Sequence, residues 1–377
     1  MNFILVFALV VYIFYSSKSY FESHGKIQKL FVVLLFVVHF TAMGVAYHDT
    51  ITFPKNDAIS FYEEALQADS WWSLFGLGSS FLNFLIYPPV QSGVSLFVLF
   101  LLFATISYKA FLLFFTGMSE GYSDEVFITE KIVIQALFLL PSLHYWSGLL
   151  GKDVLVFYSL TYLVFQIKKE AKIKAQHVLV SLFLILIRPH IFGAFFVAFI
   201  IYCLTQKDLS ERFKIQLSLF SLTIVSVLVP VLMFFIDIKT LTYKDITDKF
   251  IELNTYAMQA GNSFVSVVDT FYIERVWLLL FRPLFFDAKT NYQYWTSMEN
   301  SFVLFILLLF ILLFFRKFKS ITMGKEVKFA FIAASCILCM ISVYIYNLGL
   351  ASRMRLMFLP LFFYGWHQIA LFEYNKK

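Results

Sequence analysis

Residues 93–116, GVSLFVLFLLFATISYKAFLLFFT, carry a single charged side chain, Lys109, in a run long enough to cross a bilayer. A membrane-spanning helix needs about 20 mostly apolar residues. The whole 377-residue chain has this character, because 60% of it is hydrophobic, 14% is charged and the mean hydropathy is +0.78. Soluble domains are about half apolar and about a quarter charged. The composition predicts an all-α, polytopic membrane protein with one integral-membrane domain over 1–377, and it excludes a soluble globule, a disordered chain and a nucleic-acid-binding protein.

Similar apolar runs predict about ten or eleven transmembrane or re-entrant helices. We place them at 2–17, 30–47, 93–116, 132–149, 153–167, 177–187, 191–205, 215–236, 301–315, 329–347 and 356–372. Two of these runs are short and flank Arg188-Pro189-His190, which predicts a hairpin that turns there. The N-terminal run has no basic residues ahead of it and no clear cleavage site, so we interpret it as a retained helix.

Lys and Arg residues are concentrated in alternate connections. One set holds 18 of the 30 basic residues, and the opposite set holds 11. The basic set comprises 18–29, 117–131, 168–176, 206–214, 316–328 and the tail 373–377. Since basic loops stay in the cytoplasm, two long segments, 48–92 and 237–300, are predicted on the outer face. Their aromatic and amphipathic stretches predict ordered helices at the membrane surface.

The uncharged stretch 71–90 within the first long segment could itself span the membrane. Every later loop would then invert, and the basic loops would face outward against the usual rule. We therefore favour an interfacial or re-entrant helix, anchored by Trp71 and Trp72 and ended by Pro88-Pro89.

Several charged side chains on the predicted outer side are embedded in apolar sequence. They are Asp57, Lys152, Asp153, Arg188, His190, Arg282, Arg353 and Arg355. Burying such groups is costly unless they face a cavity, pair with each other or bind a ligand. Basic groups accompanied by two acids suit an anionic substrate. Pyrophosphate is the natural candidate, because arginine binds phosphate oxygens bidentately and lysine adds a point charge.

Each candidate also has a structural interpretation. Asp57 can be a helix N-cap, with Ser60 and Glu63 offering a capping box. The alternatives for the others are a polar hairpin turn for Lys152 and Asp153, snorkelling to the headgroups for Arg188, a turn cap for His190, and interface anchoring for Arg353 and Arg355.

No metal or cofactor site is indicated by the histidines and cysteines. His39, His48, His144, His177 and His367 lack metal-ligand spacing, and we interpret them as structural. Cys336 and Cys339 have CxxC spacing but lie inside a predicted span, where packing is the favoured role. A divalent ion has no support in the sequence.

Short motifs spread through most of the chain resemble a known family. They are Asp57 with Phe61-Tyr62 and Ala65, Pro141 with Trp146 and Lys152-Asp153, Arg188-Pro189, Arg282-Pro283 with Glu299-Asn300, and Arg353-Met354-Arg355 with Pro360. Each motif is short, and their order and spacing carry the resemblance. The chain resembles bacterial polysaccharide polymerases and related GT-C-type glycosyltransferases that use lipid-linked sugars, including O-antigen-polymerase-like proteins.

The resemblance implies glycosyl transfer at the periplasmic face of a bacterial inner membrane. The donor would be a glycan on undecaprenyl pyrophosphate, lying among membrane lipid, and the reaction needs no nucleotide. Asp57 would act as base, with Lys152 and Asp153 beside it in the catalytic group. The basic residues Arg188, His190, Arg282, Arg353 and Arg355 would bind the leaving pyrophosphate, and Tyr62, Trp71, Trp72 and Tyr294 would stack on sugar rings.

One feature departs from the family pattern. The acidic residue of many GT-C enzymes follows the first span, whereas Asp57 follows the second predicted span. Polymerases of the O-antigen type are often thought to rely on outer-face arginines instead. Under that alternative, the main catalytic residues would be Arg188, Arg282, Arg353 and Arg355 and not Asp57.

Three other functions compete with glycosyl transfer. A transporter or flippase for the same lipid-linked glycan would also place basic groups in a cavity, but no related halves are visible in the sequence. A membrane O-acyltransferase would need a histidine base, for which His144 and His190 are the candidates. A structural subunit without chemistry is the remaining alternative.

Overall fold

The computed structural model describes residues 1–23, 25–53, 56–119, 129–169, 174–235, 239–240, 242–258, 263–266, 268–317 and 323–374. Within these ranges the chain is helical. It contains no β-strand there, only an isolated antiparallel bridge between Phe264 and Asn347. The prediction of an all-α protein is confirmed.

The helices follow one another along the chain. They are α1 (Asn2–Ser23), α2 (Lys26–Thr52), α3 (Asp57–Gln67), α4 (Ser79–Gln91), α5 (Leu96–Ser119), α6 (Thr129–Leu137), α7 (Pro141–Ser147), α8 (Lys152–Lys169), α9 (Ala175–Ile187), α10 (Pro189–Thr205), α11 (Glu211–Phe235), α12 (Tyr243–Met258), α13 (Tyr272–Phe281), α14 (Asn291–Lys317), α15 (Lys325–Tyr344), α16 (Leu348–Met354) and α17 (Leu359–Tyr374). Short 3₁₀ helices add Trp72–Leu74 and Arg355–Met357.

Several helices are long and apolar enough to cross a membrane. Within the described residues α2, α5, α15 and the stretch Asn291–Leu312 of α14 meet that criterion, and α7 with α8 forms a further candidate that is bent by 108°. Shorter apolar helices lie at Asn2–Lys18, Ala175–Ile187 and Pro189–Thr205. The chain is therefore a multi-pass membrane protein, as its composition predicts.

Helix α5 lies at the centre of the bundle. Most of its side chains are buried, and beyond its first turn only the face that carries Leu102, Lys109 and Thr116 is partly exposed, so α5 is largely surrounded by other helices. It packs against α1, α2, α8 and α17, while α15 packs against α10, α13 and α17. Gly117 of α5 lies under the Phe165 ring, and a Cβ atom at that position would approach the ring to 2.4 Å. Close helix packing at this point therefore depends on a glycine.

The predicted span at 132–149 is wrong as a continuous helix. The structure has two short helices there, α6 and α7, with a break between Leu137 and Pro141. Pro141 starts α7, and the backbone of Leu140 before it is non-helical, with φ −58° and ψ 119°. A proline disfavours the helical conformation in the residue that precedes it. The break has a local cause that hydropathy alone does not reveal.

Segment 48–92 folds into helices, as predicted, but the expected helix end at Pro88-Pro89 is wrong. Helix α4 continues through both prolines to Gln91. Pro88 has no amide hydrogen to donate to the carbonyl of Phe84, one turn earlier. The indole Nε1 of Trp71 donates to that carbonyl instead, at 2.8 Å. The side chain replaces the backbone donor that Pro88 lacks, which helps α4 to continue past this position. At thirteen residues, α4 is too short to span a bilayer alone.

Breaks in the helical chain meet at one end of the bundle. The bend between α7 and α8, the α9–α10 junction at Arg188 and the connection from α15 to α17 all lie there, with α3 beside them. Helix α3 is amphipathic and buries Ala58, Phe61 and Ala65 on one side. Polar side chains at these breaks are brought together by the topology, although they are far apart in sequence.

Candidate functional site

Asp153 is the buried centre of a cluster of charged side chains. It lies in the first turn of α8, where the helix dipole favours a carboxylate. Its Oδ1 atom accepts a hydrogen bond from Nη2 of Arg188 at 2.5 Å, and the two side chains are 3% and 8% exposed. Nη1 of Arg188 contacts the Met354 sulfur at 3.2 Å. Snorkelling to headgroups is therefore the wrong interpretation of Arg188, and Lys152-Asp153 is not an ordinary solvated turn.

Arg353, in the last turn of α16, connects two carboxylates. Its Nε atom donates to Oδ2 of Asp153, and its Nη1 atom donates to Oδ2 of Asp57 at 2.5 Å. The Asp57 side chain is 61% exposed, so the cluster runs from the buried Asp153 to the protein surface. Burial opposes the charge of Arg353, but the two carboxylates outweigh it and raise the pKa of this guanidinium. We name Asp57, Lys152, Asp153, Arg188 and Arg353 the charge cluster.

The N-cap of α3 is Asn56, not Asp57. The Oδ1 atom of Asn56 accepts from the backbone N–H of Ile59 at 3.2 Å, and Asp57 is the first residue inside the helix. The capping interpretation of Asp57 is wrong. Asn and Asp cap helices about equally well, so adjacent residues of these two types leave the cap ambiguous in sequence. With the cap supplied by Asn56, the Asp57 carboxylate is free to pair with Arg353.

Lys152 forms no salt bridge within the described residues, unlike the two arginines of the charge cluster. Its Nζ atom donates to the hydroxyl of Ser79 at 2.7 Å and lies 6.0 Å from the centre of the Phe61 ring. Ser79 begins α4, and the N-cap Gly78, at φ +69°, provides no side-chain cap. The first amides of a helix lack intrahelical partners and attract anions. Lys152 thus places a positive charge at a helix end that already favours negative charge.

His190 lies beside the charge cluster, in the first turn of α10. Its Nε2 atom is 3.4 Å from the hydroxyl of Tyr344, and the two rings meet edge to face. The histidine is part of the helix rather than a cap for the turn before it, where Arg188 separates α9 from α10. Its role as a phosphate ligand stays a prediction.

Arg355 faces away from the charge cluster, although it is two residues from Arg353. Its Nε atom donates to the carbonyl of Leu279 at 2.7 Å, its Nη1 atom to Oδ1 of Asn300 at 2.5 Å, and its Nη2 atom to the carbonyl of Arg282. The residue is 3% exposed, so interface anchoring is the wrong interpretation. Its contacts hold the end of α13 against α14.

Arg282 is also occupied outside the charge cluster. Its Nε and Nη2 atoms donate to the two carboxylate oxygens of Asp287, at 2.9 and 2.5 Å. Burial alone would raise the pKa of Asp287, but hydrogen bonds from Arg282 and from the backbone of Leu284 hold it below its ordinary value. The structure therefore groups Arg188 and Arg353 with Asp57 and leaves the other two predicted arginines in a separate network.

The four predicted sugar-binding aromatic residues differ in accessibility. Trp72, Tyr294 and, to a smaller extent, Trp71 are exposed, at 71%, 49% and 40%. Trp71 stacks on Phe84 with ring centres 4.8 Å apart, besides its indole hydrogen bond. The Tyr62 hydroxyl donates to a main-chain carbonyl of the α4–α5 turn at 3.1 Å. Trp72 and Tyr294 thus offer free ring surface, whereas Trp71 and Tyr62 also support the fold.

His39 and His144 form a buried pair. Their Nδ1 atoms are 2.9 Å apart, and their Nε2 atoms contact the carbonyls of Ala104 and Phe138 at 2.8 Å. These bonds join α2, α5 and α7 at the core, so His144 is enclosed rather than presented to a substrate. Within the described part of the chain, no group of three or more His, Cys, Asp or Glu residues is placed to hold a metal ion.

Sequence reasoning missed the uncharged partners of the charge cluster and of the neighbouring His190. Ser79 contacts Lys152 across 73 positions of sequence, and Tyr344 contacts His190 across 154. No spacing rule links residues so far apart in sequence. Asn56 did carry a signal, because it directly precedes an amphipathic helix. A groove of about 640 Å³ between α10 and α11 lies near Leu204, at the opposite end of α10 from Arg188, and takes no part in the charge cluster.

Comparison of the chain with models of known families, with curated proteins and with solved structures finds no match.

Proposed function

We propose that this protein is a membrane glycosyltransferase that transfers or polymerises glycan units carried on undecaprenyl pyrophosphate. The observation that carries the proposal is the charge cluster, in which three cations and two carboxylates extend from a buried aspartate to an exposed one at one end of an apolar bundle. Charged groups at such depth are costly and usually mark a functional site. The motif resemblance supports the same reaction.

Lys152 is the proposed first contact for the pyrophosphate. Among the described residues it is the cation of the charge cluster that pairs with no carboxylate. Its Nζ atom contacts Ser79 at the start of α4. Arg188 and Arg353 add positive charge behind it. Charge that develops on a leaving group is stabilised best by groups already in position. These cations would neutralise the pyrophosphate as it departs.

Asp57 is the proposed base. An acceptor hydroxyl oxygen would attack the anomeric carbon of the donor sugar while the bond from that carbon to the pyrophosphate oxygen breaks. The hydroxyl proton would pass to Asp57, and the bonding electrons would leave with the pyrophosphate. Asp57 is the exposed carboxylate of the charge cluster, so it can meet an acceptor that arrives from solvent.

The apolar helices and the basic loops support a location at the outer face of a membrane. The apolar helices would surround the polyprenyl chain, and the distribution of basic loops favours the outer face for the charge cluster. We propose a bacterial inner membrane, where undecaprenyl carriers are found. Trp72 and Tyr294, which expose ring surface, are the proposed contacts for sugar rings.

The test is made in a bacterial strain lacking this protein, complemented with the wild type, Asp57→Asn or Glu63→Gln. Glu63 is an exposed acid on the same helix and serves as the matched control. We expect single lipid-linked repeat units to accumulate and long chains to vanish without the protein. The wild type and Glu63→Gln should restore long chains, whereas Asp57→Asn should not, although it is present in the membrane.

Other outcomes separate the competing functions. Long chains that persist but lack one sugar or one acyl group would replace polymerisation with a decorating transferase. Lipid-linked units trapped on the inner leaflet would indicate a transporter. Full rescue by Asp57→Asn would remove Asp57 from catalysis and leave the arginines as the next targets.

A further inference from the structure

We infer that Asp57 occupies, in the free protein, the position on Arg353 that a phosphate oxygen of the ligand takes, so that ligand binding releases the Asp57 carboxylate. This inference deepens the proposed function and rests on it for the identity of the natural ligand. It assigns Arg353 as the phosphate-binding residue and Asp57 as the carboxylate that it exchanges.

The two carboxylates on Arg353 are not equivalent. Asp153 is 3% exposed and is bound through both oxygens, one to Arg188 and one to Arg353. Asp57 is 61% exposed and contacts the outer nitrogen Nη1 through one oxygen. A ligand approaching from the surface can replace Asp57 while Asp153 keeps Arg188 and Arg353 in place. The pair is exposed on the Asp57 side, where water weakens it, and the incoming phosphate oxygen replaces the contact that Arg353 loses, so the exchange costs little.

The local structure of α3 permits this exchange. Asn56 satisfies the backbone N–H of Ile59, so the helix keeps its cap when Asp57 leaves Arg353. Ala58, Phe61 and Ala65 hold the other side of α3 in the core. Release of Asp57 therefore requires a side-chain rotation and leaves the helix in position.

The net charge of the charge cluster also suits the replacement of Asp57 by a phosphate. While Asp57 contacts Arg353, three cations of the charge cluster face two carboxylates. When Asp57 turns away, Lys152, Arg188 and Arg353 face Asp153 alone, and the added positive charge suits a pyrophosphate with one negative charge on each phosphate. Arginine forms the same kind of charge-assisted, often bidentate hydrogen bonds with phosphate oxygens as with carboxylate oxygens. The lipid-linked sugar donor would bind first, and its binding would free Asp57 to act as the base.

The experiment measures binding of inorganic pyrophosphate to the full chain in nanodiscs by calorimetry. We expect Asp57→Asn to bind pyrophosphate about two- to fivefold more tightly than the wild type, because a weak competing ion pair is removed. Glu63→Gln, which removes the same charge from the same helix, should bind as the wild type does. Arg353→Lys should bind more weakly, because lysine lacks the paired donors.

Equal or weaker binding by Asp57→Asn would overturn the inference, and so would equal tightening by Glu63→Gln, which would indicate general charge repulsion. A second measurement detects the released carboxylate directly in the wild type and uses one variant to assign it. Infrared difference spectra of the wild type should show a carboxylate stretching change on saturation with pyrophosphate, and Asp57→Asn should lack it. A wild-type spectrum without that change would contradict the exchange.

The two proposals can fail separately. In one case, pyrophosphate displaces Asp57, but deletion of the protein leaves all glycans unchanged. The proposed function would then be wrong, and the phosphate site would stand. Loss of long chains without tighter binding by Asp57→Asn would keep the function and overturn the exchange. Nanodiscs with undecaprenyl pyrophosphate in place of the inorganic ion then test whether the carrier lipid is the ligand.

Discussion

Arg353 and Arg355 are two residues apart and occupy opposite kinds of environment. Arg353 contacts two carboxylates, and one of them reaches the surface. Arg355 contacts two main-chain carbonyls and the amide oxygen of Asn300, deep in the protein. An arginine bound to carbonyls has its hydrogen bonds satisfied by the fold. An arginine that contacts an exposed carboxylate can exchange that partner for a ligand, which is the property that a binding site needs.

The same difference separates the two networks as a whole. The charge cluster is built on helix starts and breaks near α3, α8 and α16, with Lys152 unpaired by any described carboxylate. The Arg355 network joins α13, α14 and the turn after Arg282, and each donor has a fixed acceptor. We therefore expect substitutions in the exposed part of the first network to affect activity, and substitutions in the second network or at the buried Asp153–Arg188 pair to affect folding.

The largest effect is expected from Arg355→Met. Loss of the guanidinium leaves the carbonyls of Leu279 and Arg282 and the amide of Asn300 without their donor in a buried site. We expect a loss of about 4 kcal/mol in the free energy of unfolding. Unfolding of the detergent-purified protein by heat or by SDS measures it. Arg353→Met leaves Asp153 its contact with Arg188, so this control should lose less, and equal losses would remove the distinction between the two arginines.

Asp153→Ala tests whether the inner part of the charge cluster is structural. It leaves Arg188 buried without its carboxylate, and we expect a loss of about 3 kcal/mol in stability. The double variant Asp153→Ala with Arg188→Met removes both charges and should recover most of that loss in the same unfolding assay. It should stay inactive in glycan synthesis. If the double variant is no more stable than the single one, burial of an unpaired charge is not the cause.

Lys152→Ala should separate activity from stability most clearly. The side chain is partly exposed and pairs with a serine hydroxyl, so the unfolding free energy should change little. Removing a donor aimed at developing charge commonly lowers turnover about 100-fold. The rate of chain lengthening in complemented cells measures the effect. Lys249→Ala on α12, which removes a surface lysine paired with Glu252, is the control and should retain full rate.

The smallest expected effect concerns the pH dependence of the Arg282–Asp287 pair. The pKa of Asp287 is lower in the folded protein than its ordinary value, so the pair stabilises the fold above that value, near pH 4. This stability is lost as the pH falls further and the carboxyl group binds a proton. We expect wild type and Asp287→Asn to differ by about 1 kcal/mol near pH 6, and this difference to shrink as the pH falls below about 4. A constant difference would contradict the pair's role.

Hydropathy predicted the helical fold because apolar runs have few other solutions in a membrane. The end of α9 at Ile187 was predicted correctly, and α10 begins at Pro189, two residues before its predicted start, since a proline starts a helix well and disfavours helix before it. The prediction that a proline pair ends the helix at Pro88-Pro89 was wrong, because the indole of Trp71 donates a hydrogen bond to the helix there. Local rules predict elements, and they fail where a distant side chain supplies the missing bond.

The site was only partly predictable. An outer-face group of charges can be inferred from charges in apolar sequence, and the structure does bring Asp57, Lys152, Asp153, Arg188 and Arg353 together. Sequence alone treated Arg353 and Arg355 alike, because a motif does not show which way each side chain faces on a short helix. That distinction arises from the packing of α13 and α14, which no spacing pattern encodes.

The indole bond of Trp71 has a consequence for the entropy of the chain. By joining Trp71 to Phe84, it closes the loop before α4 into a ring and restricts the conformations that the loop can sample. Ser79, which accepts the hydrogen bond from Lys152, lies inside this ring. The position of the lysine's partner therefore depends on a proline nitrogen that carries no hydrogen, nine residues further along the chain.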